Sequence, residues 1–174
     1  KLVDIWIENL KRFAQAVGNR VQILQFNDDF GTQTAPFISV NMFRELIMPH
    51  YKRGLDWVHA NTDMKVFLHS DGAIMPLIPS IIEMGVDILN PIQTSATGMD
   101  AKTLKAEFGD RLVFWGGSLD CQKTLPFGSP QEVAREVAEH VEVFSPGGGY
   151  VFASVHNIQA QVPADNVIAM FDAV

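Results

Sequence analysis

Five short apolar segments, each followed by polar residues, restrict the folds open to this sequence. They are "VQILQF" (21–26), "MKVFLH" (64–69), "VDILN" (86–90), "RLVFWGG" (111–117) and "GGGYVFAS" (147–154). Segments of this length that are apolar at nearly every position are typical of strands in a parallel sheet, because helices cover such a sheet on both faces. The sequence therefore predicts five strands of a parallel sheet.

Helical patterns separate these strands. They cover 1–17, about 40–60, 75–84, about 100–108, 130–144 and about 163–173. Strands that alternate with helices define the α/β class, which leaves two architectures: an open doubly wound sheet, or part of an eight-stranded (β/α) barrel of about 250 residues. No G-x-G-x-x-G follows the first strand, and polar residues follow every strand in the same way. We therefore predict about five β/α units of a (β/α)8 TIM-type barrel, with 1–174 as a single domain and the first strands outside this chain.

Composition and charge exclude several classes of partner. The chain has 174 residues, of which 47% are hydrophobic, and a formal net charge of −7 with only 13 Lys and Arg residues. Nucleic acids and anionic lipid surfaces need a concentrated basic face, so we expect neither as a partner. No apolar stretch approaches the roughly 18 residues that span a bilayer, and the first residues do not show a signal-peptide pattern. The single Cys121 excludes a disulfide framework and favours a cytoplasmic setting.

Polar side chains cluster at one end of the predicted sheet. In a (β/α) barrel the active site lies at the carboxyl ends of the strands and in the loops that follow. These positions are Asn27, Asp28, Asp29 and Gln33, then His69, Ser70 and Asp71, then Asn90 and Gln93, then Gly116, Gly117 and Asp120, and last Ser154, His156 and Asn157. The opposite strand ends carry mostly turn and capping residues. We therefore predict one polar mouth.

The segment "FLHSDGAI" (67–74) holds the strongest candidate pair, His69 and Asp71. Residues two apart in an extended segment point the same way, and an aspartate beside a histidine can orient its ring or act as a second acid or base. With His156 as a third ligand, the pair suits a divalent metal such as zinc. The alternative is structural: a turn at Asp71-Gly72 and a hydrogen-bonded histidine at a strand end.

The remaining candidates are assigned to substrate binding. Asp28 and Asp29 could bind a small-molecule substrate or act as a general base, or they could cap a turn without any chemistry. Gln93 and Asn157 follow later strands and are predicted to bind substrate as well. The glycines at 147–149 precede a strand, so a tight turn is favoured over a phosphate-binding loop.

Several segments, taken in order, resemble the uroporphyrinogen decarboxylase superfamily, which also contains the corrinoid-dependent methyltransferases. They are "NDDFGTQ", "ISVNMFRELIMPHYKRGLDWV", "VFLHSDGAIMPLIPSIIEMGVDILNPIQ", "GDRLVFWGGSLD" and "GGGYVFASVHNIQAQVPADNVIAMFDAV". The resemblance extends from about residue 21 to 174. It implies a (β/α)8 barrel of which this chain is the C-terminal portion.

The resemblance also implies roles for three residues. The H-x-C motif of the thiol-methylating members falls on His69 and Asp71, and their later zinc-binding cysteine falls near His156. In those members zinc activates a thiol that accepts a methyl group from methylcobalamin, whereas members that methylate tetrahydrofolate do not depend on that zinc. With a carboxylate and an imidazole in place of thiolates, a harder metal site is implied here. In the decarboxylases a histidine near the last strand touches the porphyrinogen, and His156 is the nearest match.

The distribution of arginines separates the two activities. A porphyrinogen with many carboxylates needs cations in the mouth, yet all six arginines fall in predicted helices or at the opposite strand ends: Arg12, Arg20, Arg44, Arg53, Arg111 and Arg135. Of the activities that the resemblance implies, we therefore predict a methyltransferase-like one, with a methyl group from a corrinoid such as methylcobalamin or from a small methylated compound. A decarboxylase of a porphyrinogen or a related substrate is the first alternative, and a non-catalytic binding barrel is the second.

The predicted sheet would also have two unpaired edges, because five strands do not close a barrel. We therefore expect this chain to pack against the remaining part of its own barrel or against a second copy of itself. A corrinoid protein is a further expected partner, since it would carry the methyl group.

Overall fold

The computed structural model describes all 174 residues as one sheet flanked by helices. The strands are β1 (Ile23–Asn27), β2 (Lys65–His69), β3 (Ile88–Asn90), β4 (Val113–Trp115) and β5 (Tyr150–Val151). The helices are α1 (Leu2–Val17), α2 (Val40–Met42), α3 (Met48–Asn61), α4 (Ile78–Met84), α5 (Ala101–Phe108), α6 (Thr124–Phe127), α7 (Pro130–Phe144) and α8 (Ala164–Asp172). No helix is both long and apolar enough to cross a membrane.

All five strands are parallel and lie in the order of the sequence, β1-β2-β3-β4-β5. Each strand therefore joins its neighbour through a helical connection, which is the arrangement of consecutive β/α units. β1 and β5 form the two edges and have no further strand partner. The α/β class and the parallel five-stranded sheet predicted from the sequence are confirmed.

The main core lies between the helices and one face of the sheet. Val66, Leu68, Leu89 and Phe114 are fully buried on that face. On β1 every second residue is exposed, namely Ile23, Gln25 and Asn27, and Ile23 is 37% exposed. Since successive side chains of a strand point to opposite faces, Phe67 and His69 of β2 lie on the second face of the sheet.

Helix packing fixes the position of α1 against α3. Trp6 of α1 lies directly over Gly54 of α3, where a Cβ would collide with the indole ring. Trp6 also contacts the ring of Tyr51 edge-on, with 5.8 Å between the ring centroids. A residue without a side chain at 54 thus lets the two helices approach closely.

Several predicted boundaries differ from the structure. Strands predicted at 111–117 and 147–154 are shorter, because the glycines at 116, 117 and 147–149 have positive φ angles outside the β region. The helix predicted at about 40–60 includes a π-helical segment, Phe43–Ile47, between α2 and α3. The four-residue α6 was not predicted, since it is too short to show a periodic pattern.

Candidate functional site

The carboxyl ends of β1, β2 and β3 lie side by side because of the parallel register. Asn27 pairs with His69, and His69 pairs with Asn90. Their side chains line a cleft of about 600 Å³ on the exposed face of the sheet, together with His156 and Asn157. The structure thus assembles a polar mouth from the strand ends.

Both nitrogens of the His69 ring have a partner at this mouth. Nδ1 lies 2.7 Å from Oδ1 of Asn90, and Nε2 lies 3.3 Å from Oδ2 of Asp71. The side chains of His69 and Asp71 are mostly buried, with 29% and 25% exposure. An imidazole and a carboxylate in this arrangement can share a proton or bind a cation together.

Two glycines let the loops after β1 and β2 approach each other. Gly72 has a φ angle of 92°, and a Cβ at this position would lie 2.5 Å from the carbonyl oxygen of Thr32. Gly31, on the opposing loop, is similarly confined. The contact brings Asp29 beside Asp71, whose backbone amide donates a hydrogen bond of 3.0 Å to Oδ1 of Asp29. The approach of the two backbones therefore sets the distance between the two carboxylates.

Asp29, His69 and Asp71 together have the donor set of a metal site. Each offers one ligand atom, and these atoms lie within 4.8 Å of one another. Two carboxylate oxygens and one imidazole nitrogen suit a divalent cation of intermediate hardness. From the sequence we predicted His69, Asp71 and His156 as ligands; the structure adds Asp29 to the first two, and His156 is not within this cluster.

The local environment raises the pKa of Asp71 above its ordinary value of 3.8, chiefly through burial. The charge of His69 opposes the rise, Asp29 adds to it, and the charge of His156 opposes it from the facing loop. A carboxyl group with a raised pKa can hold or release a proton closer to neutral pH. This environment is typical of an acid/base residue.

His156 and Asn157 follow β5 in an exposed loop on the far side of the mouth. They line the first cleft beside His69 and also a second cleft of about 610 Å³ that includes Asp71 and Gln93. His156 thus lines one cleft with His69 and the other with Asp71, and its side chain has no hydrogen bond or ion pair with either residue.

Gln93 is nearly fully buried, at 4% exposure. Its Oε1 accepts a hydrogen bond of 3.0 Å from the backbone amide of Gly72, and its Nε2 donates one of 2.6 Å to Oε1 of Gln33. These bonds hold the loop that carries Asp71. The residue predicted to bind substrate therefore also supports the loops around the site.

Asp28 points away from its neighbour Asp29. Its carboxylate accepts a hydrogen bond from the hydroxyl of Tyr51, and both residues line a separate cavity of about 350 Å³ beside Trp6. Burial and the hydrogen bond to Asp28 raise the pKa of Tyr51. The structure therefore does not bring Asp28 together with His69 and Asp71.

Two residues at the mouth were not assigned a role in the site from the sequence. Asn90 forms a hydrogen bond with His69. The only sequence feature that pointed to Asn90 was its position at the end of an apolar strand. Cys121 lines the second cleft; burial raises the pKa of its thiol, and the backbone amides of His156 and Val155 oppose the rise. In the sequence analysis Cys121 served only as an indicator of the cellular compartment, because the residue pattern does not show how the loops after the strands fold together.

The opposite end of the sheet also has a cleft, of about 570 Å³. Its lining contains no histidine or cysteine, and Asp63 is its only carboxylate. This cleft therefore lacks the histidines and paired carboxylates of the mouth, in agreement with the stabilising role of the amino-terminal face of a (β/α) barrel.

Comparison with known protein families assigns this chain to a family. The family model described as "Uroporphyrinogen decarboxylase (URO-D)" matches residues 1–174. The chain belongs to the uroporphyrinogen decarboxylase family. The resemblance inferred from the ordered motifs is thereby confirmed.

Curated relatives carry the same name. This chain is 33% identical over 76 residues to the uroporphyrinogen decarboxylase of Psychromonas ingrahamii, an alignment that covers 44% of this chain and 21% of the relative. It is 35% identical over 66 residues to the uroporphyrinogen decarboxylase of Alkalilimnicola ehrlichii, with 38% and 17% covered. The matched segment thus spans about a fifth of the length of each relative.

A solved structure described as "methyltransferase from Methanosarcina mazei" has the same fold. Its TM-score to this chain is 0.65 at 20% sequence identity, and the match covers 87% of this chain and 41% of that one. This likeness, together with the parallel sheet in sequence order, confirms the predicted fold as β/α units of a TIM-type barrel.

Proposed function

We propose that this chain forms part of a methyltransferase-like enzyme, in which a corrinoid or a small methylated compound donates the methyl group. The observation that supports methyl transfer over decarboxylation is the charge of the mouth. No lysine or arginine lines either of its two clefts, whereas Asp71 lines one of them. A porphyrinogen with many carboxylates would be repelled by such a surface, while a neutral or cationic substrate would be tolerated.

His69, Asp71 and His156 are the proposed catalytic residues. When a methyl group moves to a protonated acceptor, the bond to the donor breaks and its electron pair stays on the donor. The new bond forms between the methyl carbon and the acceptor, and the acceptor releases its proton. We assign this proton to Nε2 of His69, with the carboxylate of Asp71 stabilising the imidazolium at 3.3 Å.

Substrate orientation is assigned to the other polar residues of the mouth. Asn157 lines both clefts, and Asp29 lies beside Asp71. Gln93 contributes through the loop that it holds. Asp28, which the sequence predicted as a substrate-orienting carboxylate, lines a separate cavity beside Tyr51 and is left out of this assignment.

The same residues fit a divalent metal such as zinc. His69 and Asp71 would hold it, with Asp29 or His156 as a third ligand, and the bound cation would lower the pKa of the methyl acceptor. The donor atoms are oxygen and nitrogen only, so the site is harder than one built from thiolates. Asn90 would orient His69 as an outer hydrogen-bond partner of the kind that metal-bound histidines have.

The test is corrinoid-dependent methyl transfer by the full-length protein that contains this chain. His69→Ala is expected to reduce turnover by about 100-fold or more, within the range that general acid–base catalysis contributes. His50→Ala provides the control, because His50 is exposed on α3. Normal turnover by His69→Ala would contradict the assignment.

Decarboxylation remains a second candidate, and the names of the curated relatives favour it. Conversion of uroporphyrinogen by the full-length protein, followed by separation of the products, distinguishes the two activities. Conversion of uroporphyrinogen without any methyl transfer would replace the first proposal by the second. Binding of a ligand without either reaction would favour a non-catalytic barrel.

A further inference from the structure

The side-chain amide of Asn90 lies between His69 and the backbone of β4, and its two hydrogen-bond partners determine which way the amide faces. Its Nδ2 is 3.0 Å from the carbonyl oxygen of Trp115, and its Oδ1 is 2.7 Å from Nδ1 of His69. A carbonyl oxygen only accepts hydrogen bonds, so the amide nitrogen must face Trp115 and the amide oxygen must face His69. The oxygen also only accepts, which means that Nδ1 of His69 must carry a proton.

We infer that Asn90 is a positioning residue, which holds neutral His69 in the tautomer with its proton on Nδ1. The lone pair of Nε2 then points towards Oδ2 of Asp71, 3.3 Å away. A lone pair and a carboxylate repel each other unless a proton or a metal cation lies between them. Asn90 thus makes Nε2 the nitrogen that takes up a proton or binds a cation. This role rests on the proposed function of His69, and it adds the residue that selects the reactive nitrogen.

The surroundings keep Asn90 in this position. It ends β3 beside His69 in the register of the sheet, and its two hydrogen bonds connect the carboxyl ends of β2, β3 and β4. Below it, the ring of Trp115 packs edge-on against Phe67, with 5.4 Å between the centroids. Rotating the amide away from His69 would break both hydrogen bonds, so these bonds hold its orientation.

A matched control exists on the other side of His69. Asn27 ends β1 and pairs with His69 in the register, as Asn90 does on the opposite side. Its Oδ1, however, accepts a hydrogen bond of 3.0 Å from Nε2 of Gln25. Substitution of Asn27 therefore perturbs the same face of the sheet and leaves the hydrogen bond to His69 in place.

The tautomer can be measured by ¹⁵N NMR of the imidazole groups in the full-length protein with metal removed by a chelator. His69→Gln identifies the signals of His69. At a pH where His69 is neutral, we expect the proton on Nδ1 in the wild type and in Asn27→Leu. In Asn90→Leu this preference is lost, because nothing accepts from Nδ1. Asn90→Asp loses the donor to Trp115 but keeps an acceptor for Nδ1, and we expect it to retain the Nδ1 proton.

Turnover supplies the second measurement. Asn90→Leu is expected to lower kcat by about 10- to 100-fold, the usual cost of removing an outer partner of a functional histidine, with a smaller change in KM. The inference is overturned if Asn90→Leu keeps the proton on Nδ1, or if Asn27→Leu loses it to the same extent. If the NMR result holds but His69→Ala retains methyl transfer, the proposed function fails and the tautomer assignment stands.

Discussion

The backbone amide of Asp71 donates a hydrogen bond of 3.0 Å to Oδ1 of Asp29, and this bond joins the loops after β1 and β2. It brings a second carboxylate next to the pair formed by His69 and Asp71. Asp28, one residue earlier, is bound to Tyr51 instead. The adjacent carboxylates of Asp28 and Asp29 thus have different partners, so substitutions of the two residues can be compared to test the role of Asp29.

Asp29→Asn is expected to weaken the binding of Zn²⁺ or Co²⁺ by at least about tenfold, because it removes a negative ligand. Asp28→Asn removes the same charge one residue away and is expected to weaken binding much less. Isothermal titration calorimetry of both variants measures the difference. Equal losses in the two variants would mean that only the net charge of the mouth matters and that Asp29 is not a ligand.

Asp71→Asn is expected to stabilise the metal-free protein at pH 7. Burial raises the folded-state pKa of Asp71 above 3.8, so the ionised carboxylate is disfavoured in the folded state. This cost is absent below about pH 3.8, where the group is protonated in both states, and it is complete above the folded-state pKa. The melting temperature of Asp71→Asn should therefore exceed that of the wild type at pH 7, and the gain should vanish on acidification.

Thermal unfolding with a chelator present, measured from about pH 3.5, which is below the ordinary carboxyl pKa, to about pH 7, follows this difference. Asp63→Asn, at the opposite end of the sheet, controls for the loss of one negative charge. A variant of Asp71 that is less stable than the wild type at pH 7 would show that the carboxylate stabilises the fold.

Gly72→Ala should destabilise the protein more than Gly147→Ala. Both glycines have positive φ angles, 92° and 75°, so each variant incurs a backbone cost of about 1–2 kcal/mol. A Cβ at Gly147 has no neighbour within 4 Å, whereas one at Gly72 meets the opposing loop. The extra cost at Gly72 should be about 1–3 kcal/mol, as for overpacking in a core. Urea unfolding measures both, and equal losses would show that the two loops separate easily.

Ser129→Ala should lower the stability of α7 without affecting the mouth. Ser129 and Glu132 form a capping box, in which the side chain of Ser129 accepts from the Glu132 amide and the side chain of Glu132 accepts from the Ser129 amide. Loss of such a cap costs about 1 kcal/mol. Ser145→Ala, at the other end of the same helix, should have almost no effect. Denaturant unfolding distinguishes them, and similar midpoints would contradict a stabilising role for the cap.

The sequence predicted the sheet well, because a buried parallel strand leaves a continuous apolar run. It also predicted that the side chains of His69 and Asp71 face the same way, and Nε2 of His69 lies 3.3 Å from Oδ2 of Asp71. The exact ends of the strands were harder to predict, since they depend on glycines with positive φ angles. Periodicity alone cannot show where such a residue leaves the extended conformation.

The rest of the site depends on contacts between loops that are distant in sequence. Nothing in "NDDFGTQ" shows that Asp28 turns towards α3 and that Asp29 turns towards the mouth. The bond from Asn90 to His69 likewise requires the register of two strands, and a sequence pattern does not contain it. Pairing and close packing, which are tertiary properties, decide these two features.

The contact between Gly31 and Gly72 has a consequence for redesign. The two loops touch through their backbones, so this contact does not depend on the side chains of His69 and Asp71. The donor atoms of these two side chains can therefore be exchanged while the contact stays the same. Asp71→Cys would introduce a soft sulfur ligand at the same location, and it would convert a hard site into a thiophilic one by changing one side chain.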